Sequence, residues 1–168
     1  MKITKVLMGM VLLAAACQPP MDNSANELFE KNSKAVTSYI DGYVNENLDH
    51  AAFYSPDIIF QSTSVGGQDS ITLKQMIGYD QQNWAMFDFE LVTDPVVLLP
   101  GVNAETKKMD GSVRYYGTWK ATMAATDSTD EKSVEVQIYE SFDFDENGKV
   151  INHVNYGDWG GMWNAMSK

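Results

Sequence analysis

The chain contains a single cysteine, Cys17, among its 168 residues. It therefore has no second thiol for an internal disulfide and no set of thiolates for a cysteine metal site. Its only histidines, His50 and His153, lie far apart and lack the closely spaced ligand residues of a zinc site. A hydrophobic core must therefore hold the fold together.

Basic residues are also scarce. The chain has 12 lysines and arginines against 23 aspartates and glutamates, which gives a formal net charge of −11. Nucleic-acid binding requires the opposite sign, so we expect no nucleic-acid partner. The same charge would repel the body of the protein from an anionic membrane surface, and solubility is the simplest explanation of the acidity.

No apolar run is long enough to cross a bilayer. The longest run, 6–16, is far shorter than the roughly 20 helical residues that a bilayer core requires. Lys2 and Lys5 precede it, and three alanines and then Cys17 end it. This order resembles the signal peptide of a bacterial lipoprotein. An ordinary secreted protein is the alternative, and a buried helix fits less well because Gln18-Pro19-Pro20 follows at once.

The lipoprotein resemblance implies a division of the N-terminal segment. Residues 1–16 would be the signal peptide, and 17–25 would be the lipidated Cys17 followed by a flexible tether. The implied location is the bacterial cell envelope, where the lipid alone contacts the membrane. Gln18, rather than aspartate, after the cysteine favours the outer membrane, with the protein on its periplasmic side. A lipidated Cys17 cannot serve as a catalytic thiolate.

Residues 26–168 form one predicted domain, whose first half is mainly helical. Ser24 and Glu27 have capping-box spacing, and apolar residues follow at helical intervals up to about 45–47. A short helix before Ser55-Pro56 and a strand over 57–62 come next. Thr72 and Gln75 predict the start of another helix, and 87–91 alternates as a strand.

The second half alternates polar and apolar residues and predicts long antiparallel strands. We expect strands over 112–124, 133–144 and 149–159, with a turn at 145–148 and polar loops over 100–111 and 126–132. Helices followed by a run of strands predict an α+β fold.

Three features together resemble the nuclear transport factor 2-like superfamily, most closely its SnoaL-like branch. They are the order of elements over 26–166, the residues Gly66-Gly67-Gln68-Asp69-Ser70-Ile71 before the third helix, and the hairpin over 144–150. The resemblance implies a cone, in which a curved antiparallel sheet wraps around the N-terminal helices and leaves a pocket at its wide end. Members include ketosteroid isomerases, polyketide cyclases, dehydratases and binding proteins, and many are homodimers through the outer sheet face. Such a fold leaves the reaction open.

Glu140 is the first candidate for a functional residue. It interrupts the apolar face of its strand, where an unpaired charge would cost several kcal/mol. A four-residue turn would place His153 roughly opposite Glu140, and the two could form a general acid/base pair or a polar grip on a ligand. Alternatively, Glu140 lies half exposed at the pocket mouth, and a register shift of one residue would separate the pair.

The resemblance adds Asp57 as a candidate base, because ketosteroid isomerases carry one near the start of the first strand. Asp57 could instead cap a turn after Pro56. Aromatic residues are candidates for binding an apolar or ring-bearing ligand, although they could equally fill the core. They are Tyr39, Tyr43, Trp84, Trp119 and Tyr115. Asp158 is a weaker candidate, and Trp159 and Trp163 could form a plug or a dimer contact.

Two functions remain open at this point. The first is an envelope-anchored module that binds a small, mainly apolar molecule or a partner. The alternative is a small cofactor-free isomerase, cyclase or dehydratase that uses Glu140 and His153. We expect neither cofactor nor metal, since the acidic loop over 126–131 lacks the glycine of a calcium-binding loop.

Overall fold

The computed structural model describes residues 23–63, 66–68 and 70–167. The predicted signal peptide, Cys17 and most of the predicted tether lie outside these residues. The described part of the chain forms four helices and six strands, in the order α1 (Ser24–Val44), α2 (His50–Phe53), β1 (Tyr54–Ser62), α3 (Leu73–Met86), β2 (Asp88–Leu91), β3 (Val97–Val102), β4 (Met109–Met123), β5 (Lys132–Phe144), β6 (Val150–Gly157) and α4 (Trp159–Met166).

The six strands form one curved, unclosed sheet that packs on α1. The strand order is β1-β6-β5-β4-β2, and β3 also pairs with β4. β1 runs parallel to β6, and the other pairs are antiparallel. The predicted α+β cone is therefore confirmed.

β4 and β5 form the centre of the sheet and pair without a break from Val113–Phe142 to Met123–Lys132. Strict alternation along both strands buries one face, which carries Tyr115, Trp119 and Ile138. The outer face carries a row of three tyrosines, which we call the tyrosine row: Tyr116, Tyr139 and Tyr156. Successive ring centroids in this row are 4.8 and 5.9 Å apart.

The helical stripe predicted for α1 is confirmed by its buried residues Val36, Tyr39 and Ile40. The predicted capping box at its start is wrong. The helix already includes Ser24, and Asn23 occupies the N-cap position without a side-chain capping bond. The capping box predicted for α3 is confirmed, because Thr72 and Gln75 each accept a hydrogen bond from the other's backbone N–H.

Two elements lie where the sequence predicted none. β3 occupies the start of the predicted loop 100–111, because β4 begins early enough to pair with it despite Pro100 and Gly101. The last strand ends at Gly157, and α4 replaces the predicted strand end at Trp159. Burial of Met162 and Met166 outweighs the low helix propensity of two glycines in α4.

β1 begins at Tyr54, earlier than the predicted Asp57. It is an edge strand, where Pro56 is tolerated because one side needs no backbone donor. In the part of the chain that the structure describes, no helix is long and apolar enough to cross a membrane.

Candidate functional site

A cavity of about 610 Å³ lies between the inner sheet face and the helices α1, α3 and α4. This is within the range of small-molecule sites, which is roughly 300–1,000 Å³. Most of its wall is aromatic or aliphatic, which suits an apolar ligand. Lining residues of this kind include Tyr43, Met76, Phe89, Trp119, Ile138, Met162 and Trp163.

Glu140 lies in the sheet wall of this cavity and is only 2% exposed. Its Oε1 accepts a hydrogen bond of 2.5 Å from the Nδ2 of Asn155, which is its direct partner in the sheet. The His153 Nε2 lies 3.4 Å from the same oxygen. The other oxygen, Oε2, is buried and has no hydrogen-bonding partner among the described residues.

The structure thus brings Glu140 and His153 together, although His153 pairs with Phe142 in the sheet and not with Glu140. Two register changes separate the observed pairing from the predicted one. Phe144 pairs with Val150, so the connection is one residue longer than predicted, and the register shifts again between Asp143 and Phe144. The two shifts of one residue add up to two residues, which is the repeat of side-chain direction along a strand. His153 therefore stays on the inner face.

His153 lies behind Glu140 and is only 1% exposed. Its Nδ1 is 2.9 Å from the Tyr54 hydroxyl, and its ring packs on Phe142 at 4.3 Å and Phe60 at 4.8 Å. With the ring proton on Nε2, Nδ1 is left to accept from the Tyr54 hydroxyl, and the Nε2–H lies near the negative charge of Glu140 without forming a hydrogen bond to it. The contacts therefore favour this tautomer.

A second carboxylate–imidazole pair lies in the helical wall. Asp80 of α3 lines the cavity, and its Oδ2 is 2.7 Å from the Nε2 of His50, which begins α2. Burial raises the pKa of Asp80, and the contact with His50 acts in the opposite direction. Sequence reasoning assigned these residues no role, although Asp80 shares a helix face with the apolar Leu73, Ile77 and Trp84.

Three tyrosines in the cavity wall keep their protons. Burial, together with the nearby negative charges of Asp80 and Glu140, raises the pKa of Tyr39, Tyr43 and Tyr54. The Tyr43 hydroxyl accepts a hydrogen bond of 3.5 Å from the Nδ2 of Asn83, which leaves its own O–H to donate to a ligand. A neutral hydroxyl donor in the cavity wall can stabilise a developing oxyanion.

The other predicted site residues divide between the cavity and its surroundings. Trp119 lines the cavity, and its indole N–H donates to the hydroxyl of Tyr115, which is fully buried behind it. Trp84 packs against Tyr43 and His50 and is not part of the lining.

The candidate base Asp57 lies outside the site. It is exposed on β1, whereas the neighbouring Ile58 is buried. Successive residues of a strand point to opposite faces, so Asp57 points away from the core and does not line the cavity. Asp158 caps α4 by accepting from the Gly161 N–H.

Across the described residues, no three histidine, cysteine, aspartate or glutamate side chains lie close enough together to hold a metal ion. Each of the two carboxylate–imidazole pairs joins two groups that can take up or release a proton.

No protein-family model and no curated protein match the sequence. Several solved structures share the fold. One is a protein from Shewanella denitrificans that is provisionally named a SnoaL-like polyketide cyclase. It superposes with a TM-score of 0.59 at 12% identity, covering 82% of this chain and 97% of that one. A nuclear transport factor 2-like protein from Burkholderia xenovorans gives 0.59 at 13% identity, with coverage of 81% and 95%.

An isomerase from Bacillus subtilis, also provisionally named, gives a TM-score of 0.64 at 9% identity, covering 83% of this chain and 95% of that one. At such low identities the likeness establishes the fold and not the reaction. The chain shares the α+β cone fold of these SnoaL-like and nuclear transport factor 2-like structures.

Proposed function

We propose that the protein is a cofactor-free acid–base enzyme that removes a proton next to the carbonyl group of an apolar, ring-bearing substrate. The observation that carries this proposal is the Oε2 atom of Glu140. It is a buried side-chain oxygen of a residue that lines an apolar cavity, and it has no hydrogen-bonding partner among the described residues. Such an oxygen is placed to accept a proton from a bound molecule.

The chemistry would proceed in two steps. Glu140 Oε2 takes the proton from the α-carbon, the electrons of the C–H bond form a carbon–carbon double bond, and the carbonyl electrons move to oxygen. The Tyr43 hydroxyl donates to the resulting enolate. Where the substrate carries a carbon–carbon double bond next to the α-carbon, protonated Glu140 returns its proton to the far carbon of that bond. The double bond thereby moves into conjugation with the carbonyl group, which completes an isomerisation. Alternatively, the enolate carbon attacks a second carbonyl group and closes a ring, and the new alkoxide takes the proton.

The groups around Glu140 would hold it in position. Asn155 and His153 both approach Oε1, and Tyr54 holds the far side of the His153 ring. His153 does not line the cavity, so we assign it a positioning role, not direct contact with the substrate. Two structures with the same fold, provisionally named a polyketide cyclase and an isomerase, support a reaction of this class.

The test is hydrogen–deuterium exchange at the α-carbon of two ketones, α-tetralone and cyclohexanone, in heavy water, followed by proton NMR. We expect the protein to accelerate exchange and Glu140→Gln to lower the rate by about 10² to 10⁴. Glu135→Gln is the matched control, because Glu135 is exposed on the same strand. An unchanged rate in Glu140→Gln would exclude Glu140 as the base.

A binding module is the second candidate, favoured by the aromatic lining of the cavity. Calorimetric titration with the same ketones separates the two functions. Binding within about tenfold of the wild type in Glu140→Gln, with no exchange catalysed by either protein, would support binding without catalysis.

We also propose that Cys17 carries a lipid that anchors the protein in the bacterial envelope on the periplasmic side of the outer membrane. The sequence of residues 1–17 supports this proposal. Metabolic labelling with an alkyne fatty acid should mark the wild type but not Cys17→Ser, and membrane fractionation should show release of the variant. Equal labelling of both proteins would contradict the proposal.

For the oligomeric state we propose a homodimer through the outer sheet face. Support comes from the tyrosine row, in which Tyr116 is 46% and Tyr156 is 51% exposed, and from nearby exposed aliphatic residues Val97 and Leu99. Light scattering should give twice the monomer mass for the domain and a monomer for the double variant Tyr116→Lys, Tyr156→Lys. A monomeric wild type would refute the dimer.

A further inference from the structure

We propose that Trp159 is a positioning residue for Glu140 and acts through the side-chain amide of Asn155. The inference rests on the proposed function, because it concerns which oxygen of Glu140 accepts the substrate proton. Three side chains carry it. They come from three consecutive elements of the chain, β5, β6 and α4, and meet at one edge of the cavity.

The Trp159 indole determines how the Asn155 amide is oriented. The indole Nε1–H can only donate, and it lies 3.1 Å from the Asn155 Oδ1. The amide oxygen is therefore turned toward Trp159, and the Nδ2 group is turned toward Glu140. With the amide reversed, two oxygens would face each other at Glu140 and two N–H groups would face each other at Trp159.

This orientation makes the two oxygens of Glu140 unequal. Oε1 receives the Asn155 N–H and faces the His153 ring at 3.4 Å, whereas Oε2 keeps no partner among the described residues. A donor on Oε1 holds negative charge and fixes the carboxylate plane. The lone pairs of Oε2 remain for the substrate proton. Trp159 thus selects the proton-accepting atom without touching Glu140.

Close packing and hydrogen bonds around α4 fix the position of the Trp159 indole. A Cβ atom at Gly157 would lie 2.9 Å from the Trp159 Cε2, so only glycine leaves room for the ring. Asp158 caps the start of α4 through a 2.8 Å hydrogen bond from Gly161, and a Cβ at Gly161 would lie 2.2 Å from the Asp158 carboxylate. At the other end of α4, the Lys132 Nζ donates to the Met166 carbonyl at 3.0 Å.

Trp163 provides a matched control on the same helix. Its ring also lines the cavity, but it packs against Phe87 and is 44% exposed. Replacing either tryptophan by phenylalanine keeps an aromatic ring and removes one indole N–H. Only the change at Trp159 removes the donor to Asn155.

The first experiment needs no substrate. In nitrogen–proton NMR spectra we expect the side-chain amide signals of Asn155, assigned with Asn155→Ala, to move on Trp159→Phe and on Glu140→Gln. They should stay in place on Trp163→Phe. Unchanged Asn155 amide signals in Trp159→Phe would overturn the inference, whether or not the protein proves to be an enzyme.

The second experiment measures exchange kinetics with α-tetralone in a double-mutant cycle. We expect Trp159→Phe to lower kcat about tenfold with little change in KM, and to have almost no further effect in an Asn155→Ala background. Equal effects of Trp159→Phe in both backgrounds would show that Trp159 acts independently of Asn155. If the wild type catalyses no exchange, the proposed function fails, while the NMR result still decides the hydrogen-bonded chain.

Discussion

The two carboxylate–imidazole pairs of the cavity are chemically alike but are held in different ways. Glu140 and His153 lie on adjacent strands, with side chains 2% and 1% exposed and atoms 3.4 Å apart. Asp80 and His50 come from two helices, with side chains 14% and 8% exposed and a contact of 2.7 Å. The sheet pair is more deeply buried, and the helix pair is closer.

The difference follows from what holds each carboxylate. Glu140 is fixed by the β4–β5–β6 ladder, by Asn155, and through His153 by Tyr54. Among the described residues, the Asp80 side chain makes one hydrogen bond, to His50, which begins a helix of only four residues. A catalytic base requires fixed geometry, whereas an accessory group tolerates small movements. In the proposed mechanism, Glu140 is therefore the group better suited to abstract the proton, and Asp80 is left an accessory role.

The largest expected effect on the reaction rate comes from displacing the Glu140 carboxylate, which the surrounding structure holds more firmly than that of Asp80. Glu140→Asp keeps the charge but withdraws it by one methylene, and a displacement of about 1 Å at the reacting group can cost 10²-fold in rate. We expect a loss of this size in kcat for α-tetralone exchange. A loss below about threefold would show that the geometry of the sheet pair is not critical.

A smaller effect is expected at the helix pair. Asp80→Asn preserves an oxygen that can accept from His50 and removes only the negative charge. We expect the exchange rate to fall by no more than about tenfold, which corresponds to the loss of one charge-assisted hydrogen bond. A loss as large as that of Glu140→Gln would reverse the assignment of roles.

The buried hydrogen bond between Tyr54 and His153 can be tested by measuring the free energy of unfolding. Tyr54→Phe leaves the Nδ1 of His153 buried without its hydroxyl partner, which should lower the free energy of unfolding by about 1–3 kcal/mol. Tyr43→Phe is the control, because its hydroxyl has a longer contact of 3.5 Å. Urea unfolding measures both, and equal losses would contradict the argument.

The smallest effect concerns pH. Burial raises the native pKa of Asp80 above its ordinary value of 3.8, so the native state binds this proton more tightly than the unfolded chain. The contribution of Asp80 to stability is then present below 3.8 and is lost as pH rises through the raised pKa. Six other titratable groups surround Asp80, and all six are the same in the wild type and in Asp80→Asn. They are His50, Tyr43, Tyr54, Tyr39, Glu140 and His153.

We therefore expect Asp80→Asn to gain stability relative to the wild type between about pH 4 and about pH 6, measured by urea unfolding at both values. A constant difference between the two proteins across this interval would show that Asp80 keeps an ordinary pKa in the native state.

Periodicity made much of the fold predictable. The alternation in β4 and β5 and the 3.6-residue stripe of α1 depend on local side-chain direction, so they can be read from the chain alone. The anomaly of Glu140 on an apolar face was also visible. β3 could not be predicted from the sequence, because Pro100 and Gly101 break its alternating pattern and only pairing with β4 makes it a strand.

The site itself was only partly predictable. Glu140 and His153 were expected to be neighbours on the assumption of one turn length, and their proximity in fact depends on two register shifts that cancel in parity. The Asp80–His50 contact joins residues 30 positions apart on separate helices. Asn155 and Trp159 gained their roles from the position of α4, which the sequence did not predict.

The sequence by itself determined which residues face inward and that one carboxylate would lie among apolar neighbours, because side-chain direction follows from the repeat of each helix and strand. The tertiary structure decided which polar atoms meet in the cavity, which oxygen of Glu140 keeps no partner, and which exposed tyrosines form a row on the outer face. Those outcomes depend on register, helix docking and burial, which involve residues distant in the chain and therefore leave no local pattern.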